Sequence, residues 1–454
     1  MLLGLLACQK IESQVYRPKP LPQDPLVQVY FNRSLATEYK EPYRQLTRSG
    51  DDLEKLIVEA ITSAQSTVDL AIQELRLPKI AQALVERHRA GVKVRVILEN
   101  NYSRPWSDLS ATEVAKLKPR ERQRYHEALK LIDSNGNTQL SQDEINQADA
   151  LVILRNAKVP IIDDTADGSK GSGLMHHKFL VIDGHLSIIT SANFTTSGIH
   201  GDLKTAESRG NANNLLKIDS SDLAKLLLKE FNFMWGDGPS GKADSKFGIN
   251  KPRRQVQQFQ LGNTSISVHF SPTSATKPWS QSSNGLIGKT LTKATKSIDL
   301  ALFVFSEQRL ANILERSHQQ GIEIRALIDS SFAYRNYSEA LDLMGIALSK
   351  KCQYEQGNRP WQNPITTIGV PQLPKGDLLH HKFAIIDGQT VITGSQNWSW
   401  AANTNNDETV LVIDNPTVAA HFQREFENLY AKVVLGIPIA LGKKIKAQQQ
   451  TCPP

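Results

Sequence analysis

The sequence predicts an α/β protein built as two similar halves, and three observations carry that reading. Residues 69–91 (DLAIQELRLPKIAQALVERHRAG) align without a gap on 299–321 (DLALFVFSEQRLANILERSHQQG), both opening on Asp-Leu-Ala and closing on a glycine. Near the end of each half the same set of His, Lys, Asp, Ser and Asn residues returns at the same spacing. Between them, short apolar segments alternate with stretches of helical apolar spacing, the signature of β-α-β units.

Taken in order, Val29-Tyr30-Phe31 matches Val268-His269-Phe270, and each precedes a predicted helix, 51–64 or 284–294. Each repeat then reads as a strand, a helix stopped by Gly91 or Gly321, and a β-branched strand, Val92–Leu98 or Ile322–Ile328. Lys229-Glu230-Phe231 and Arg424-Glu425-Phe426 lie in matching helical patterns that end in Trp235 and Tyr430. The expected organisation is a first domain 27–240, a linker 241–262 where Gly, Pro and basic residues replace periodic apolar ones, and a second domain 263–436. Residues 437–454 read as a basic polar tail.

Composition narrows the class. Hydrophobic residues are 40% and charged ones 22% of 454, with 27 Gly and 21 Pro, which excludes a disordered, collagen-like or coiled-coil chain. No run of 18 or more apolar residues exists, so no transmembrane helix is expected. The formal net charge of +7 favours anionic partners such as phosphates, nucleic acid or acidic lipid surfaces. Three cysteines exclude a disulfide scaffold. In an oxidising compartment Cys352 and Cys452 could pair; two free thiols are the alternative.

Leu5-Leu6-Ala7-Cys8 resembles the lipobox of bacterial lipoproteins, followed by a polar, proline-containing stretch suited to a tether, so 1–26 reads as lipoprotein signal and tether. The apolar stretch before Cys8 is short and lacks a preceding charge, so the alternative is an ordinary cysteine in an apolar tail. Lipidation would make the protein extracytoplasmic, periplasmic or membrane-anchored; otherwise it is cytoplasmic.

The repeated constellation is His176-x-Lys178, then Asp183, then Thr190-Ser191-Ala192-Asn193; its second copy is His380-x-Lys382, Asp387 and Gly394-Ser395-Gln396-Asn397. An Asp-Gly pair between two apolar runs marks a hairpin in both. On a strand, residues i and i+2 share a face, so each imidazole projects beside its lysine. That pairing suits a phosphodiester: lysines and amides donate to oxygens whose charge develops in the transition state, without any metal. One histidine can attack phosphorus while the other protonates the leaving oxygen.

The pattern resembles the phospholipase D superfamily in its form with both motifs on one chain, over about 27–436. The resemblance implies two phospholipase D-like α/β domains in pseudo-twofold arrangement, one active site at their interface, a covalent phosphohistidine and no catalytic metal. It maps His176 to the nucleophile and His380 to the general acid. Lys178, Lys382, Asn193 and Asn397 map to phosphate ligands, Ser191 and Ser395 to accessory ones, and Asp183 and Asp387 to a structural role at the turn. The family often places Asn-x-Glu after the motif, its carboxylate orienting an imidazole. The second half has Asn406-Asp407-Glu408, whereas the first has Asn211-Ala212-Asn213, an amide in place of the carboxylate. Thr190 stands where the second copy has Gly394.

The stretch from Gly91 to His176 exceeds that from Gly321 to His380 by 26 residues. This insertion, at about 115–150, contains a segment that resembles an EF-hand loop. Its oxygen ligands for a structural Ca²⁺ would be Asp133, Asn135, Asn137, the Gln139 carbonyl, Ser141 and bidentate Glu144. Thr138 stands where such loops have glycine, and the alternative is a solvated polar loop capping the next helix.

Three functions compete. The first is a phosphodiesterase of the phospholipase D type acting on phospholipid head groups, expected as a monomer. The second is a metal-independent nuclease of the same superfamily. The third, a catalytically inactive binding module, is disfavoured because both motifs are complete. Trp398 and Trp400, just after the second motif, could contact a head group or base, or could be core aromatics.

Overall fold

The computed structural model describes residues 17–169 and 173–452. Cys8 and the lipobox reading lie outside the described residues. The first half runs β1 (Val27–Phe31), α1 (Leu53–Thr62), β2 (Thr67–Ile72), α2 (Pro78–Arg89) and β3 (Lys93–Leu98). Then come α3 (Pro119–Ile132), α4 (Gln142–Ala148), α5 (Ala150–Asn156), β4 (Ile161–Asp163), β5 (Lys178–Ile182), β6 (Leu186–Thr190), β7 (Asn214–Asp219) and α6 (Ser221–Trp235). The second half runs β8 (Gln257–Leu261), β9 (Thr264–Ser271), α7 (Ser283–Leu291), β10 (Ser297–Leu302), α8 (Gln308–Gln319), β11 (Glu323–Ile328) and β12 (Ile368–Pro371). It ends with β13 (Lys382–Ile386), β14 (Thr390–Gly394), β15 (Glu408–Asp414), α9 (Pro416–Tyr430), β16 (Val433–Leu435) and α10 (Ile439–Thr451).

The strand orders are β1-β7-β6-β5-β2-β3-β4 and β8-β9-β15-β14-β13-β10-β11-β12-β16. Without β8 and β16 the second order repeats the first position for position, so the α/β duplication read from sequence is the architecture. Within each sheet β2-β3-β4 and β10-β11-β12 are parallel, and the hairpin β5-β6 or β13-β14 joins antiparallel.

Local chemistry explains the boundaries. Asp52 caps α1 by accepting from the Lys55 N–H, and α1 buries Leu53, Ile57, Ala60 and Ile61. Gly91 and Gly321, both at φ 88°, end α2 and α8 in the left-handed region that costs glycine least. At the hairpins Asp183 and Gly184 take φ 49° and 68°, and Asp387 and Gly388 take 53° and 64°, the positive pair a type I′ turn requires. Strands β5 and β13 are buried throughout because both faces of each sheet are covered. α6 and α9 lie in one apolar core shared by the two halves, with Leu227 and Phe231 from one and Phe422 and Phe426 from the other. Truncating Phe422 to Ala there should cost about 3–5 kcal/mol.

Two segments differ from the sequence reading. Within 241–262, Gln257–Leu261 is a strand and Phe247 and Lys251 are buried, because these side chains pack into the interface between the halves. Within 437–454, Ile439–Thr451 is a helix: Ile445 packs against Leu341 and Leu348, and Cys452 is disulfide-bonded to Cys352.

Candidate active site

Each His-x-Lys segment enters its strand by crossing to the opposite half. The His176 N–H donates to Asp407 O at 2.9 Å and the Asp407 N–H to Leu174 O at 2.9 Å. On the other side Ala212 N–H donates to Leu378 O at 2.8 Å and His380 N–H to Ala212 O at 3.1 Å. Backbone pairing therefore sets each histidine against the segment that begins β15 or β7 of the other half. The orienting residues follow from that register. Glu408 Oε2 lies 2.6 Å from His176 Nδ1, and Asn213 Oδ1 lies 3.0 Å from His380 Nδ1.

Both contacts fix a tautomer. A carboxylate only accepts, so His176 Nδ1 carries the hydrogen. Asn213 Nδ2 donates to Gly198 O at 2.8 Å, which turns its carbonyl oxygen toward His380, whose Nδ1 must then donate as well. Each ring is left with Nε2 as its reactive nitrogen. Burial lowers His176 to about 4; Glu408 opposes the shift and Lys178 adds to it. His380 is also lowered, well below its ordinary value, by burial and by Lys382 and Lys178, and its Nδ1 bonds to an amide rather than a carboxylate. Burial pushes Glu408 up, but His176, its hydrogen bond and Lys178 outweigh that and hold it below the usual range.

The lysines are equally buried. Lys178 Nζ donates to His176 O at 2.8 Å and to Gln73 Oε1 at 3.2 Å; Lys382 Nζ donates to His380 O at 2.6 Å. Burial lowers Lys178 to about 7, while Glu408 and Glu74 oppose it. Lys382 falls well below its ordinary value through burial and the charge of Lys178. Two buried cations, one lowering the other in this way, are costly until an anion joins them.

The other motif residues divide. Asn193 and Asn397 line the cavity, each with a buried Oδ1 that has no partner among the described residues. Ser191 Oγ donates to Asn213 Oδ1 at 2.8 Å and Ser395 Oγ to Glu408 Oε2 at 2.7 Å. The serine protons are thus directed at the two orienting groups rather than at a phosphate. Asp183 accepts from the N–H groups of Gln65, Ser66 and Thr67, and Asp387 from those of Thr295, Lys296 and Ser297. Both tie the hairpin to the start of β2 or β10. Trp398 is fully buried, whereas Trp400 is 56% exposed.

A cavity of about 700 Å³ contains His176, His380, Asn193 and Asn397. Sequence reasoning missed most of its wall. Gln73 and Phe303 occupy the same register of the 69–91 and 299–321 repeat, each just after its strand. Yet Gln73 accepts from Lys178, whereas the Phe303 ring lies 4.9 Å from Lys382 Nζ and 4.8 Å from the His380 ring. Comparing the repeats position by position would have exposed that difference. The insertion supplies Leu117, Lys118 and, from α3, Glu121 and Arg124, so the extra segment is a wall of the site, beside Tyr102 and Trp106 that precede it. Arg124 donates to the Tyr102 hydroxyl at 3.1 Å.

Residues 133–144 fold as a tight loop between α3 and α4. Asp133 accepts from Asn137 and Thr138 N–H, Asn135 from Asn137 N–H, and Asn137 from Gln139 N–H. Glu144 accepts from the Ser134 and Ser141 N–H groups and closes a capping box with Ser141. Thr138 takes φ 66°, the conformation such loops ask of glycine. Each of these carboxylate and amide oxygens is thus held by an N–H or O–H group of the loop itself.

A buried ionic cluster braces the His176 side. Lys251 reaches Glu230 and, at 2.5 Å, Asp407, whose carboxylate also accepts the Gly248 N–H at 3.0 Å. Arg254 lies 3.2 Å from Glu230, and His177 Nε2 lies 3.5 Å from it. Asp407 is the residue whose backbone pairs with Leu174 and His176, so the segment joining the halves fastens the strand end that holds the His176 imidazole.

Comparison with known proteins agrees with this geometry. The family model described as cardiolipin synthase, PLD-like domain, matches residues 57–235 and 287–430. The chain belongs to the phospholipase D superfamily, as a member carrying both motifs on one chain. Among curated relatives, the mitochondrial cardiolipin hydrolase of Xenopus laevis is 28% identical over 183 residues, covering 40% of this chain and 78% of that protein. The human protein of the same name is 31% identical over 153 residues, 34% of this chain and 53% of the relative. Among solved structures, phosphatidylserine synthase of Haemophilus influenzae aligns over 95% of this chain and 94% of its own, at a TM-score of 0.55 and 11% identity, a likeness of fold.

Proposed function

We propose that this chain hydrolyses phospholipid head-group phosphodiesters through a covalent phosphohistidine on His176. The observation that carries the reading is the meeting of His176 and His380 in one cavity with unequal orienting groups, each with its buried lysine bonded to its backbone carbonyl. Attack by His176 Nε2 leaves a positively charged phosphorylated ring, which the Glu408 carboxylate stabilises across Nδ1. His380, held by a neutral amide, gives its proton up more readily and suits the leaving oxygen. Departure of the head group leaves His380 able to take a proton from the water that then attacks phosphorus and frees His176. Lys178 and Lys382 neutralise the phosphoryl oxygens throughout.

A phospholipid is favoured because Leu109, Leu117, Leu174, Phe303 and Phe332 give the cavity an apolar lining beside its charged residues. Both the matched family and the relatives above carry cardiolipin in their names. The chain would act as a monomer, with lipidation at Cys8 as its anchor and calcium at 133–144 as a structural ion. The test is incubation of purified protein with phospholipid vesicles and, separately, with single- and double-stranded DNA. Head-group release is expected; DNA cleavage without head-group release would replace the lipid reading by the nuclease one.

A further inference from the structure

After Tyr430 the chain builds a basic surface with exposed aliphatic side chains. None of residues 428–454 is acidic, and the stretch holds Lys432, Lys443, Lys444 and Lys446. All four lysines are exposed. Strand β16 is an edge of its sheet, and there Val434 and Leu435 are 46% and 48% exposed. Ile439, at the first turn of α10, is 82% exposed. Large aliphatic side chains left in water beside exposed lysines, in a stretch with no acidic residue, are the composition of a lipid-surface contact.

The surface is preformed. Leu441 and Ile445 point inward against Leu341 and Leu348, so α10 turns its lysines outward. The Tyr334 hydroxyl donates to Gly436 O at 2.9 Å at one end of the helix, and the Cys352–Cys452 disulfide holds the other. That disulfide also sets the exposed Lys350 and Lys351 beside the end of α10.

We propose that β16 and the outer face of α10 dock the protein on an anionic lipid bilayer, the aliphatic tip entering the interface and the lysines contacting lipid phosphates. Charge complementarity selects this occupant. A second copy of the chain would bring the same positive charge to the interface and be repelled. The proposal is separate from the chemistry of the cavity and stands or falls independently of which phosphodiester is cleaved.

The experiment is sedimentation of the full chain with vesicles of phosphatidylcholine alone or mixed with phosphatidylglycerol, at rising salt. Wild type should sediment with the mixed vesicles only, and be released by salt. Lys443→Gln/Lys444→Gln/Lys446→Gln should weaken binding roughly a hundredfold, at about tenfold or somewhat less for each lysine. Val434→Ser/Leu435→Ser/Ile439→Ser should also weaken it. Both variants should melt as wild type does and hydrolyse a water-soluble diester, bis(4-nitrophenyl) phosphate, at an unchanged rate. Vesicle binding equal in wild type and both variants would overturn the proposal. So would loss in the variants of DNA binding or of self-association in place of vesicle binding.

Discussion

The two halves of the active site hold the same charge-bearing residues and different residues to steer them. His176 rests on Glu408 and its lysine on Gln73; His380 rests on Asn213 and its lysine under Phe303. The first half adds the wall of the insertion, and Lys251 clamps only the segment that pairs with His176. The difference teaches that duplication supplied a symmetric set of buried histidines and lysines, while what distinguishes the two imidazoles sits in the residues behind them.

Removing either imidazole breaks the comparison outright. His176→Ala and His380→Ala should each lower turnover by several orders of magnitude, since the two act as a unit. Retained turnover in either variant would dissolve the shared site.

Exchanging the orienting groups is the next largest effect. Glu408→Gln should lower kcat about a hundredfold or more, by analogy with the loss when a carboxylate behind a catalytic imidazole becomes an amide. Asn213→Asp, which gives His380 the partner His176 has, should change kcat far less. Equal losses would mean that the asymmetry has no catalytic content.

A third test concerns the clamp. Lys251→Met should lower kcat about tenfold with KM little changed, because it leaves Asp407 buried beside Glu230 without its cation. Adding Asp407→Asn should restore part of the loss, and a purely additive double variant would contradict the coupling.

Smaller effects follow from pH and calcium. Lys178 is cationic below about 7 and neutral above it. The free enzyme therefore loses its anion-binding charge as pH rises through that value, and KM should climb from there; a flat KM from pH 6 to 9 would contradict a role for the Lys178 charge in binding. Calcium bound to the folded state should raise Tm, by about 2.7 kcal/mol of stability at a hundredfold excess over Kd. Glu144→Gln should abolish the shift, and an unmoved wild-type melting curve at millimolar calcium would remove the ion from the account.

The α/β duplication was legible because its signals are local. The gapless repeat, the glycine stops and the Asp-Gly turns each act within one β-α-β unit or hairpin. The candidate histidines and lysines were legible for the same reason, at fixed spacing on one strand. What escaped was non-local. Gln73 and Phe303 matter only through Lys178 and Lys382, about two hundred residues apart in the chain yet brought to one site by their sheets. Lys251 reads as a solvated linker residue until Glu230 and Asp407 converge on it. Helix α10 has few inward apolar positions, so its periodicity is faint and its place depends on Leu341, Leu348 and a disulfide to Cys352.

The central claim is that the carboxylate-backed imidazole carries the covalent bond. Wild type and the His380→Ala variant should be mixed with a slow phosphodiester substrate, quenched in alkaline denaturant, and their peptides read by mass spectrometry. The account predicts phosphorylation on the peptide containing His176 in wild type, with both its formation and its breakdown slowed in His380→Ala because His380 serves first the leaving oxygen and then the water. Phosphorylation of wild type on the His380 peptide alone would contradict it.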